Sequence, residues 1–446
     1  EGASARVFGS SAFNGAINIV TRPDRESCVR LSAEGGSFGS FGGYFGVSLL
    51  TGSVSQKLSG GYTQSDGGTK NSDFKRRRAY YTGSYTSRYA DLVWQAVLSS
   101  QDYGASTFYS AKFDNQWEAT RRIITSAQAD IKPFGDERLV ITPQAYWHRD
   151  VDHYQLTRGK EGAKNGENYH RTDVYGASLN AHATWLLGKT AVGMDIRKEH
   201  ILSTAYGDLL PENEWKNIHG TDRHYDHRGD RTNTSLFLEH NVILGGFTLS
   251  AGVLANRNTG LDGDFRFYPG VDLSYRPNEM WKFYASWNKA LRVPTYTDLY
   301  TSNSVQQGDT GLRPERTSTF KAGTRFRTRG VEAVVSGFYS KGNDIIDWVY
   351  ETEESRKYHA MNIGKLDNMG YSVDATLNMT ELLPGSFVTR IKAGYARIHQ
   401  RHTTEQPVYR SLYALEYLRH KATFQLDHRI WSRLSASWAV CWQERM

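Results

Sequence analysis

Runs in which apolar and polar residues alternate follow one another along this chain with no amphipathic helix between them. In Tyr175–Trp185 the odd positions are apolar or aromatic and the even positions small or polar. The same alternation marks 247–255, 265–276, 281–288 and 434–443. Side chains on a strand point to opposite faces in turn, so each run has one apolar and one polar face. About nineteen such runs can be counted from residue 27 onward, roughly 22 residues per strand and connection, a length that suits long antiparallel strands.

The connections alternate in length. Short turns fall near Thr51-Gly52, Gly188-Lys189, Gly245-Gly246, Arg276–Glu279 and Thr328–Gly330. Long polar loops separate them at Ser65–Asp73, Ala105–Trp117, Thr157–Asn168, Gly207–Asp230, Leu291–Glu315 and Glu351–His359. Short on one rim and long on the other is the habit of outer-membrane barrels. Trp147, Trp185, Trp281 and Trp442 near strand ends fit an interfacial aromatic girdle. A soluble propeller would repeat a motif every ~40–50 residues, and none is present. A soluble sandwich would bury its apolar face against a second layer, whereas here the polar face is rich in Asn, His, Arg, Gln and Thr, as a wet lumen requires. The fold class expected is therefore all-β: an antiparallel transmembrane β-barrel.

Composition supports this and removes other classes. No apolar stretch approaches the ~18 residues of a transmembrane helix, and 13% aromatic residues argue against disorder. Two cysteines, Cys28 and Cys441, exclude a disulfide scaffold and a cysteine zinc site. A net charge of +7, spread over 54 basic and 47 acidic residues, is a solvated surface rather than a nucleic-acid footprint.

The first residues carry a specific motif. Gly9-Ser10-Ser11-Ala12-Phe13-Asn14-Gly15-Ala16-Ile17-Asn18-Ile19-Val20-Thr21 resembles the closing segment of the plug domain in TonB-dependent outer-membrane receptors, which ends in a G-x-x-A-x-x-G-x-I-N-I-x-T pattern. Gly9, Asn14, Gly15 and Asn18 are its plug-motif positions here. Ala290–Tyr300 resembles the family's F-R-x-P-x-x-x-x-L-Y stretch, with Leu291 in place of the usual Phe, and Gly311-Leu312-Arg313-Pro314-Glu315 resembles its L-x-P-E segment. The resemblance implies 22 strands around a plug, of which residues 1–26 would be the plug's tail and 27–446 an incomplete barrel. Glu1 opens inside a motif and Met446 closes inside an alternating run, so both ends read as cuts. The first strand, near Val29–Phe38, and the last, Leu434–Trp442, are then expected to be unpaired edges, with Cys28 and Cys441 too far apart to bond.

By the same resemblance the protein is no enzyme and needs no cofactor. It would take a scarce, bulky ligand into the loops and pass it inward, driven by TonB acting on the plug. The expected partners are TonB, outer-membrane lipid, the ligand and a surface lipoprotein; the location is the bacterial outer membrane. Ligand-facing candidates are loop aromatics and amides, because such groups suit a large amphipathic ligand: Tyr103, Phe108, Tyr109, Asn115, Gln116, Trp117, Trp215, Tyr300 and Gln306, with Phe113, Tyr225, Asn303 and Gln307 beside them. Tyr103–Ser110 followed by Asn115–Glu118 looks similar to receptors of Bacteroidota placed with cobalamin transporters, which favours cobalamin. Ferric siderophores and haem stay open. His219, His224 and His227 read as solvated loop residues before haem ligands, and Asp222, Asp226 and Asp230 as a solvated loop before a calcium site. A passive porin would lack the plug tail, and no motif joins Ser, His and Asp into a hydrolase site.

Overall fold

The computed structural model describes residues 26–108, 112–261, 263–303, 305–404, 406–412 and 417–445. The plug-motif residues Gly9, Asn14, Gly15 and Asn18, and the candidate Tyr109, lie outside them. Nineteen long strands form one antiparallel sheet. They are β1 (Cys28–Gly36), β2 (Ser40–Thr51), β3 (Val54–Ser65), β4 (Phe74–Thr86), β5 (Ala90–Gly104), β6 (Trp117–Ile131) and β7 (Leu139–Gln155). Then come β8 (Glu167–Trp185), β9 (Gly188–Ser203), β10 (His227–Leu244), β11 (Phe247–Asn258), β12 (Arg266–Tyr275) and β13 (Trp281–Arg292). The last are β14 (Glu315–Arg327), β15 (Val331–Asn343), β16 (Gly364–Asn378), β17 (Val388–Thr404), β18 (Leu418–Trp431) and β19 (Leu434–Arg445). Each pairs with its neighbour in sequence. Among the described residues, β1 and β19 each pair on one side, with β2 and β18. Cys28 and Cys441 are free thiols.

Register carries the alternation across the wall. One row reads Pro143, Leu179, Met194, Leu236, Ala255, Phe267. The adjacent row reads Gln144, Ser178, Asp195, Ser235, Asn256, Arg266. Leu179 is 56% exposed while Ser235 is 6% exposed. That inverts the burial order of a water-soluble protein: the apolar row covers the outside and the polar row lines the inside. The inner row is hydrogen-bonded, since Asn256 Nδ2 donates to Asn233 Oδ1 (3.1 Å) and Ser235 Oγ (3.0 Å), which is what buried amides require.

On β8 the apolar face runs from Tyr175 to Trp185. Ten rises give about 34 Å along the strand, and about 25 Å along the axis at a tilt near 40°, the height of an outer-membrane apolar band. At its lower edge Trp185 Nε1 donates to Thr190 Oγ1 (2.9 Å), and Phe247 stacks on Tyr275 (4.1 Å). These rings make the girdle, together with Trp281.

The two rims differ as the sequence suggests. One carries the connections 52–53, 87–89, 132–138, 186–187, 245–246, 276–280, 328–330, 379–387 and 432–433. The other carries 66–73, 105–116, 156–166, 204–226, 293–314, 344–363 and 405–417, plus the short 37–39 and 259–265. One boundary is corrected. The sequence places a loop at Glu351–His359, but β15 ends at Asn343. Asp344 turns the chain with φ +54°, and Ile346–Tyr350 and Tyr358–Asn362 form a separate small sheet. The run Ile346–Tyr350 looks like a continuing barrel strand because Ile346, Trp348, Val349 and Tyr350 are apolar or aromatic; the turn at Asp344 is what takes it out of the wall.

Candidate ligand-binding mouth and cap

The motif residues build a clasp. Arg292 closes β13 and Glu315 opens β14, and the two pair through the guanidinium Nε and Nη2. Arg292 also donates to Asp298 Oδ2 (3.2 Å). Asp298 caps the helix α1 (Tyr296–Tyr300): the Thr295 backbone N–H donates to its carboxylate (2.9 Å), and its own N–H donates to Thr295 Oγ1 (3.1 Å). This is a capping box, two orphan donors satisfied reciprocally. The second oxygen of Glu315 accepts the Ile346 N–H (2.7 Å), so the clasp also holds connection 344–363.

From this clasp α1 leans over the lumen. The Arg231 guanidinium, on the inner face of β10, lies over the Tyr296 ring at 4.6 Å and donates to Pro294 O (2.8 Å). Tyr296 and Tyr300 stack at 6.2 Å, and Thr301 Oγ1 donates to the Tyr206 hydroxyl (3.2 Å). Tyr206 in turn stacks on His170 at 4.4 Å. His170 takes an inner-face position on β8, so Tyr206, Tyr296 and Tyr300 form an aromatic mouth at the top of the lumen. Burial pushes the Tyr296 phenol up from its ordinary range. Its hydroxyl is buried without a hydrogen-bond partner among the described residues. Gly229 makes room for this ring: a Cβ there would meet Tyr296 Cε1 at 2.7 Å.

Beside the mouth, three connections fold into a cap. Gln306–Gln307 pairs in parallel with Tyr358–Asn362, which pairs with Ile346–Tyr350, which pairs with Arg410–Ser411. The cap has its own core of Leu312, Ile346, Trp348 and Ala360. Asp347 is buried and accepts from Ser411 Oγ. A cavity of about 420 Å³ opens between these loops, lined by Gln307, Asp309, Arg313, His359, Asn362 and Gln406 among others. Arg313 donates to Asp344 Oδ1 (2.9 Å). Burial and then the Arg316 and Arg313 guanidiniums act on the Asp344 carboxyl, and the net effect is to lower it below its usual range.

The other candidates lie elsewhere on the same rim. Gln116 is fully buried and its Nε2 donates to Phe113 O (3.1 Å). The Arg158 N–H donates to Asn115 O (2.7 Å). The Arg158 side chain holds Asp73 in a bidentate pair (2.6 and 2.9 Å), which keeps the Asp73 carboxyl below the usual range. Tyr103, next to last on β5, lies opposite Phe74 and Glu118, Phe108 is exposed, and Trp117 meets His153 edge-on at 5.1 Å. Trp215 Nε1 donates to Leu210 O (3.0 Å), above a core of Tyr169, Leu202, Leu210, Ile218 and Tyr225. Asn303 accepts the N–H groups of Val305 and Gln306. Tyr300 and Gln306 therefore stand at the mouth and the cap, while Asn115, Gln116 and Trp215 brace loops. Sequence reasoning missed His170, Tyr206, Tyr296, Arg313 and Gln406. Tyr296 and Arg313 share connection 293–314 while His170, Tyr206 and Gln406 lie in other strands and connections, and no local pattern links the five. Asp226 pairs with His227 (2.7 Å) and Asp230 with His200 (2.8 Å). Among the described residues no three His, Cys, Asp or Glu side chains converge as metal ligands.

Residues 30–443 match the model of the TonB dependent receptor-like, beta-barrel family. The chain belongs to the TonB-dependent receptor family. Its fold is similar to that of the FrpB iron transporter from Neisseria meningitidis in its apoprotein form, at a TM-score of 0.76 and 18% identity over 98% of this chain and 73% of that one. It is also similar to the ferric enterobactin receptor from Pseudomonas aeruginosa (0.73, 14%, 99% and 71%) and to the siderophore receptor PirA from the same organism (0.70, 15%, 99% and 76%). At these identities the likeness shows the fold. As a TonB-dependent receptor the protein is a transporter rather than an enzyme, and its place is the outer membrane of a Gram-negative bacterium.

Proposed function

We propose that this receptor imports a bulky organic metal chelate of the ferric-siderophore kind, caught at the mouth and cap and drawn through the lumen by TonB. The observation that carries the reading is the aromatic mouth of Tyr206, Tyr296 and Tyr300 beside a polar cavity holding Arg313 and His359. Flat rings pack against the organic frame of a chelate, and a cation and amides complement its oxygens. Iron transport and siderophore reception by the proteins of similar fold point the same way. In this reading residues 1–26 supply the tail of the plug that TonB pulls, and 27–446 the barrel. Tyr103, Phe108 and Trp117 form the outer approach to the mouth.

Cobalamin is the second reading, carried by the resemblance of Tyr103–Ser110 and Asn115–Glu118 to cobalamin-type receptors. One uptake experiment separates the two. Cells lacking their own receptors and expressing this one are given either a labelled ferric siderophore or labelled cobalamin, with TonB present or deleted. TonB-dependent uptake of the siderophore, lowered by Tyr300→Ala, supports the first reading. Uptake of cobalamin alone transfers the function to the second, and TonB-independent leakage of both overturns the receptor mechanism.

A further inference from the structure

One pairing recurs on the inner wall of the barrel. Tyr146 lies directly opposite Gly176, Phe237 opposite Gly193 and Phe338 opposite Gly370. Following the register from the inner row through Gln144, Ser178, Asp195 and Ser235, all three rings take lumen positions. Each ring lies across its glycine. A Cβ on Gly176 would meet Tyr146 Cζ at 2.0 Å, one on Gly193 would meet Phe237 Cε1 at 2.2 Å, and one on Gly370 would meet Phe338 Cε1 at 2.8 Å. With no side chain beneath them the half-buried rings lie flat on the wall.

The three rings share a level. Each is seven positions from the short-turn end of its strand, at Leu139, Leu244 and Val331. That is about 18 Å along the axis, at 3.4 Å per residue and a tilt near 40°. His170 and Gly229, beside the mouth, are each fifteen positions from the ends Trp185 and Leu244. The rings therefore form a belt about 20 Å below the mouth. His170 and Gly176 share the inner face of β8, and Gly229 and Phe237 that of β10, so both paths down from the mouth lead onto a ring.

We propose that Tyr146 and Phe237, continued by Phe338, form a transit station for the aromatic groups of the imported ligand after it leaves the mouth. The inference rests on the receptor reading given above. Continuity with the mouth selects this occupant, and the chemistry of the wall explains its use. The neighbouring Ser178, Asp195 and Asn256 would hold a ligand's polar groups through several hydrogen bonds at once. A single stacked ring attracts weakly, and passage needs contacts strong enough to enter and weak enough to leave. Lying on glycine keeps each ring out of the path.

The test uses cells lacking their own receptors and expressing this one, with two probes that carry aromatic rings, ferric enterobactin and cyanocobalamin. Whichever probe enters reads the belt, so the station is tested separately from the ligand assignment. Surface affinity is measured with TonB deleted and the maximal uptake rate with TonB present. Gly176→Ala/Gly193→Ala lifts Tyr146 and Phe237 off the wall. It is expected to lower the maximal rate about twofold to tenfold, the weight of one aromatic contact, at unchanged surface affinity. Gly60→Ala/Gly83→Ala is the matched control on the lipid face. A Cβ there would meet Phe45 Cε1 at 2.4 Å and Trp94 Cε2 at 2.3 Å, and uptake is expected to be unchanged. A purely structural role would lower urea resistance and uptake alike in both pairs, whereas a transit role lowers the rate in the inward pair alone. If heat-modifiable electrophoretic mobility shows the inward pair unfolded, Tyr146→Leu/Phe237→Leu, which removes the ring faces without a clash, is read in the same way. Equal rates for the inward and outward pairs, or a loss confined to surface affinity, overturns the proposal. Entry of neither probe overturns it together with the receptor reading.

Discussion

Placing an arginine on each face of β8 tests the barrel reading at its foundation. Leu179 is four residues from Tyr175 and six from Trp185 on the outward face. At about 3.4 Å per residue and a tilt near 40°, it lies about 10 Å below the upper edge of the apolar band and about 15 Å above the lower one. Its neighbours in the same outward row are Pro143, Met194 and Leu236, none of which could pair with a cation. Leu179→Arg is therefore expected to destabilise the barrel in lipid by about 2–4 kcal/mol, a factor of roughly 30 to 900 in the folding equilibrium. Ser178 is the adjacent control. It faces the lumen directly opposite Asp195 on β9, so an arginine there meets water and a carboxylate, and Ser178→Arg is expected to cost far less. The assay is urea-induced unfolding in phospholipid vesicles, followed by tryptophan fluorescence and by the electrophoretic shift between folded and unfolded barrel. Equal losses at 178 and 179, or a larger one at 178, would refute the assignment of faces.

Other perturbations address the loops. Glu315→Gln leaves Arg292 facing a neutral amide and weakens the clasp by about 1–3 kcal/mol; limited proteolysis should then cut within 293–314 at least about tenfold faster, and an unchanged rate would contradict the clasp. The Asp73–Arg158 pair should be sensitive to acid: Arg158 lowers the folded Asp73 pKa, so its contribution is complete above the ordinary carboxylate range and lost as pH falls through the lowered value. Hydrogen exchange in 66–73 and 156–166 is accordingly expected to be flat from neutral pH to about pH 5 after correction for intrinsic rates, and to quicken below about pH 4, near the reference carboxylate value; Asp73→Asn should remove that acid step. Gly229→Ala drives a methyl against Tyr296 and Ile201 and should cost about 1–3 kcal/mol, with weaker ligand uptake at normal barrel yield; wild-type uptake would place the ligand away from this mouth.

Much of the barrel was legible in the residue order because strand periodicity is local. A side chain's face depends on the parity of its position, so Tyr175–Trp185 announces its lipid face without reference to any partner. Nineteen strands, a short-turned rim and a long-looped rim follow from repeating that reading. The clasp residues Arg292 and Glu315 could be found as parts of motifs, though their pairing could not. What tertiary structure decided has no local signature. The parallel pairing of Gln306 with Tyr358, the convergence of His170, Tyr206 and Thr301, and the bond from Arg158 to Asp73 join segments whose own sequences are aperiodic. Ile346–Tyr350 shows the limit from the other side: its apolar run reads as barrel wall, and the turn at Asp344, the Glu315 carboxylate and the core around Trp348 make it cap. Strand propensity and alternation act over a few neighbouring residues and so fix the wall, whereas loop positions are set by contacts between residues far apart in the chain, which exist once the wall has brought them to the same rim.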